Sequence, residues 1–64
     1  MHDNSKEVNI LHKQIKELRD ALRIHANQTE DPKCMALCET SSEVLNGVES
    51  AFDHYLDKSE GIWQ

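Results

Sequence analysis

Zinc and thiol chemistry needs cysteines and histidines that a fold can gather at one point. In this chain the set that qualifies is His25, Cys34 and Cys38. Thiolate sulfur and imidazole nitrogen are zinc's preferred ligands, and these three with a fourth would complete a tetrahedral site. Each also has a plainer use. Small thiols are ordinary core residues, and a histidine at the end of an apolar stripe packs there or complements the helix dipole. The first reading is packing, and zinc is the alternative. Cys34 and Cys38 stand four apart. On a helix, a disulfide between them would staple one turn to the next with poor geometry. Two cysteines are no disulfide framework, so reduced thiols in a cytoplasmic setting are expected.

Other chemistries find less support. A di-iron carboxylate bundle requires Glu-x-x-His, and none of the four histidines has a Glu three residues before it. There is no glycine-rich phosphate loop, nucleophile elbow or Ser/His/Asp arrangement. His54 beside Tyr55 would need a pocket to do acid–base work, and 64 residues in two helices rarely enclose one. No catalysis is expected.

Charge divides along the chain. From residue 4 to 28 there are five basic residues against three acids, and from 30 to 60 two against eight, within a total of −5. Lys13, Lys16, Arg19 and Arg23 could be read as a nucleic-acid stripe, but the acidic total and the absence of interleaved aromatics oppose it. The simpler expectation is a basic helix lying against an acidic one, with pairs such as Lys16–Glu43 setting orientation more than stability. The acids Glu49, Asp53, Asp57 and Glu60 read as a solvated outer face.

The elements that must position these groups follow from apolar spacing. Val8, Leu11, Ile15, Leu18, Leu22 and His25 recur at intervals of 3 and 4, which is a heptad seam on one helix. Asn4 with Glu7 resembles a capping box. The first helix is expected over about 5–28, roughly 36 Å at 1.5 Å per residue. Asp31–Pro32 then reads as an N-cap followed by proline at the first helical position, leaving a hinge at 29–31. A second helix is expected over about 32–59, with Cys34, Leu37, Ser41, Val44, Val48, Ala51 and Tyr55 at the same alternating spacing. Cys38, Leu45 and Phe52 form a parallel line beside it. Asn46–Gly47 could break this helix and give three. The apolar phase runs unbroken across Gly47, which favours continuity. Met1–Asp3 are expected to fray and Gly61–Gln64 to form a short tail. Nothing at the start resembles a signal peptide, and no stretch is apolar enough for a membrane span.

The expected fold is therefore a single all-α domain over 1–64: an antiparallel helical hairpin that dimerises into a four-helix bundle. A chain this short buries only about 60% of its unfolded surface, and small scaffolds need a staple or a partner. Two seams can cover each other, yet Cys38, Leu45, Phe52, Ile10, Ile24 and Trp63 would stay partly exposed. Core and dimer interface are assigned to Leu11, Ile15, Leu18 and Leu22 on the first helix. On the second they are assigned to Leu37, Val44, Leu45, Val48, Phe52 and Tyr55. In layout this resembles the plasmid copy-control repressor-of-primer hairpin dimer. The likeness is architectural, with no shared motif, and it carries no RNA-binding residues to this chain. A homodimeric interaction or regulatory module that docks another protein is the expected function. A metal- or redox-responsive protein is the alternative, and nucleic-acid binding through the first helix comes third.

Overall fold

The computed structural model describes the backbone of residues 4–60 and the side chains of 4–57. The expected frayed start, with His2, and the expected tail, with Trp63, lie outside the described residues. Two helices, α1 (Ser5–Gln28) and α2 (Pro32–Glu60), pack against each other as an antiparallel hairpin. Neither is long and apolar enough, among the described residues, to cross a membrane.

The hinge is built from side chains suited to it. Thr29 leaves α1 in an extended conformation (φ −76°, ψ 146°), and its backbone N–H still bonds the His25 carbonyl at 2.9 Å. Its hydroxyl accepts the Asp31 N–H at 3.2 Å. The Asp31 carboxylate then accepts the Lys33 N–H at 3.0 Å, satisfying one of the orphan donors that open α2. Pro32 occupies the first helical position, where its missing N–H costs nothing. The start of α1 is simpler than a capping box. Asn4 sits near helical geometry (φ −90°, ψ 2°), which takes its side chain away from the first amides, and it makes no side-chain cap. Its carbonyl accepts the Val8 N–H instead, at 2.9 Å.

The two leucine seams do not form the buried line between the helices. Ala26, Cys38 and Ser42 are buried, 3 to 5% exposed, whereas Leu11, Leu18, Leu37 and Val44 are 50 to 64% exposed. The contact line on α1 instead runs through Val8, His12, Ile15, Arg19, Leu22 and Ala26, one position on from the leucines at alternate steps. Tyr55 and His25 are likewise exposed. The reason is size. Helices approach closely where the facing side chains are small, and Ala26, Cys38 and Ser42 supply that approach near the hinge. The Ser42 hydroxyl is satisfied within its own helix by the Glu39 carbonyl at 2.9 Å, so burying it leaves no unpaired polar group. The larger residues then fall to one side, as the lips of a groove.

α2 is continuous through Asn46 and Gly47. A Cβ added at Gly47 would meet nothing within 4 Å. Gly47→Ala is therefore expected to stabilise the protein by about 0.5–1 kcal/mol, through helix propensity and a less flexible unfolded chain. Urea unfolding of the two proteins at equal concentration checks this.

Candidate functional site

The hairpin presents three regions that could act. The first is the apolar side. Leu18, Leu22, Leu37, Ser41, Val44 and Leu45 line one groove between the helices, with Thr40 at its edge. Val8, Leu11, Ala51, Phe52 and Tyr55 line a second, farther from the hinge. Among the described residues, no charged side chain lines either groove. Each groove has walls from both helices: Leu22 with Leu37 and Leu18 with Ser41 in the first, and Val8 with Ala51 and Phe52 in the second. They meet as opposite walls rather than as a closed core. Ile15 and Val48, the remaining members of the assigned set, are half-buried.

The opposite side is polar and paired. The Arg19 guanidinium forms an ion pair with Glu49, donates to Asn46 Oδ1 at 3.3 Å, and reaches Asp20 on its own helix at 3.1 Å. Lys16 Nζ lies 3.8 Å from Glu49 Oε2, so its partner is Glu49 and not the expected Glu43. Arg23 lines a polar groove with Glu39 and Glu43. Lys13 is exposed. Two of the four residues of the predicted basic stripe, Lys16 and Arg19, thus pair with an acid of α2. Glu49 is half-buried among these cations, not part of a solvated acidic face.

His12 completes this side, and the leucine pattern gave no hint of it. Its ring stacks on Phe52 with centroids 6.0 Å apart and planes inclined by 10°. Its Nε2 lies 3.1 Å from Asp53 Oδ1 and 3.8 Å from Glu49 Oε2, without an aligned hydrogen bond. Ligand atoms of His12, Glu49 and Asp53 lie within 4.8 Å of one another. That geometry could admit a cation, but Arg19 and Lys16 already bring positive charge to Glu49, and a further cation there meets like charge. The set reads as an ion-pair network. The available sequence signal was a second 3–4 repeat through His12, Arg19 and Ala26, masked by its polar members.

The third region brackets the hinge. His25 in the last turn of α1 meets Cys34 and Cys38 in the first turns of α2, with ligand atoms all within 4.8 Å of one another. The hinge is short and Ala26 packs closely, so the sequence-predicted trio comes together. Both cysteines are free thiols. Burial pushes the Cys38 thiol above its ordinary pKa, and the neighbouring Cys34 thiol adds to the shift by hydrogen bonding and proximity. No family model, curated protein or solved structure matches the chain, so the residues themselves carry the functional reading.

The Arg19–Glu49 contact can be weighed directly. Arg19→Ala and Glu49→Gln are each expected to cost about 1–3 kcal/mol, the range for a hydrogen bond to a charged, partly buried group. The double variant should lose less than the two costs added together, because the groups share one interaction. A denaturation double-mutant cycle measures this coupling.

Proposed function

We propose that this chain is a non-catalytic interaction module that works as a homodimer, two hairpins joining through their apolar sides into a four-helix bundle. The observation that carries this reading is the pair of uncharged grooves walled by large, exposed side chains. Leucines and valines half to two-thirds exposed each stand to gain roughly 1–2 kcal/mol on burial. The interior offers little in their place. Among the described residues no large side chain is fully buried, and three of the four buried residues are Ala26, Cys38 and Ser42. The radius of gyration, 14.9 Å, exceeds the roughly 11 Å of a compact domain of this length.

A second copy is the occupant that suits this face. Each chain carries a formal charge of −5, so copies repel over most of their surface. Their uncharged sides are where they can approach without that penalty. A two-fold axis presents the same patch twice and leaves no open end for further growth. The polar side, with its acids and paired cations, then faces outward in both copies and is the surface for another protein. Nucleic-acid binding is the weaker reading, since Arg19 and Lys16 already pair with Glu49. A cytoplasmic setting suits the free thiols.

Sedimentation velocity at micromolar concentration tests the assembly. The wild type is expected at twice the chain mass and Leu18→Ser, Val44→Ser at the chain mass. Both residues are already exposed in the hairpin, so the substitutions leave its interior intact. A folded wild type sedimenting at the chain mass would reject the dimer, and a stable complex with an added protein in place of self-association would reject the choice of occupant.

A further inference from the structure

We infer that the hinge end is a metal site in which Cys34 Sγ, Cys38 Sγ and a ring nitrogen of His25 bind one Zn²⁺, with a fourth position open to solvent. Three ligand atoms from two helices already lie within 4.8 Å of one another. In a tetrahedral zinc site, sulfur–sulfur and sulfur–nitrogen separations are about 3.8 and 3.5 Å, given bonds of about 2.3 and 2.0 Å. Rotation of the three side chains between neighbouring rotamers closes the difference. Neighbouring turns of α2 place the two thiols on one face, and His25 approaches from the last turn of α1. Burial is graded across the site: Cys38 is buried, Cys34 half-buried and His25 exposed. The metal would therefore rest against the hairpin with one side facing water. Binding releases one proton from each thiol, so two protons leave per zinc and no redox step is involved. Bound zinc ties the end of α1 to the start of α2 across the hinge. All three ligands come from one chain, so no residue of a second copy is needed to complete the set.

The other candidate, His12 with Glu49 and Asp53, differs in chemistry. Its ligands are mainly oxygen, and Arg19 and Lys16 stand beside it. That contrast makes the two sites separable by spectroscopy.

Reduced, chelator-treated full-length protein titrated with Co²⁺ provides the test. The expected result is one Co²⁺ per chain, with an intense thiolate-to-cobalt charge-transfer band and tetrahedral ligand-field bands, both lost on adding one equivalent of Zn²⁺. Cys34→Ser should abolish the charge-transfer band. His25→Ala should weaken binding by at least about 10–100-fold, the loss seen even for outer-shell changes. His25 is exposed, so this variant keeps its fold, which circular dichroism verifies. His12→Ala should leave the bands unchanged. Absence of a thiolate band in folded wild type, or its loss with His12→Ala but not with His25→Ala, would overturn the assignment.

Discussion

Close approach of α1 and α2 through small side chains near the hinge governs the rest of this structure. Ala26, Cys38 and Ser42 are the buried residues there, and none contributes much apolar area. They draw the helices together and keep the leucines from interdigitating between them. Leu18, Leu22, Leu37 and Val44 consequently stand as walls of an open groove. Hydrophobic stabilisation scales with area removed from water, so a hairpin whose buried residues, Leu56 apart, are small is marginal by construction. The same close approach brings His25 to Cys34 and Cys38.

The two long sides divide the remaining work. On the polar side, Arg19 and Lys16 converge on Glu49 while His12 lies on Phe52. These contacts fix the rotation of α1 about its own axis: turning it to bury Leu11 and Leu18 would pull Arg19 off Glu49. Polar pairing and small-residue packing thus favour the same rotation. What remains, among the described residues, is a face without charge, on a chain whose formal charge is −5.

Much of this was legible in the residue order. Asp31–Pro32 located the hinge because an aspartate cap followed by proline has few other uses, and the unbroken apolar phase across Gly47 marked one helix. Which residues are buried was less accessible. A 3–4 repeat of leucines marks a face but does not say whether that face meets the other half of the hairpin or something beyond it. His12 and Arg19 belong to a second repeat whose polar members look like surface until Phe52 and Glu49 are seen opposite them. Asn4 shows the limit of a short motif: its pairing with Glu7 fits a capping box, yet its backbone turns the side chain away. The His25, Cys34, Cys38 trio was findable because the hinge brings its members together, whereas the His12 cluster joins residues 37 and 41 positions apart on faces that no motif marked.

The central claim is that the apolar side needs a second copy to be stable. Thermal unfolding followed by circular dichroism over a hundredfold range of protein concentration tests it most directly. If two chains fold as one unit, the midpoint rises steadily with concentration, because mass action favours the associated state. A cooperative transition whose midpoint stays fixed across that range would mean that the hairpin is stable alone, and the claim would be wrong.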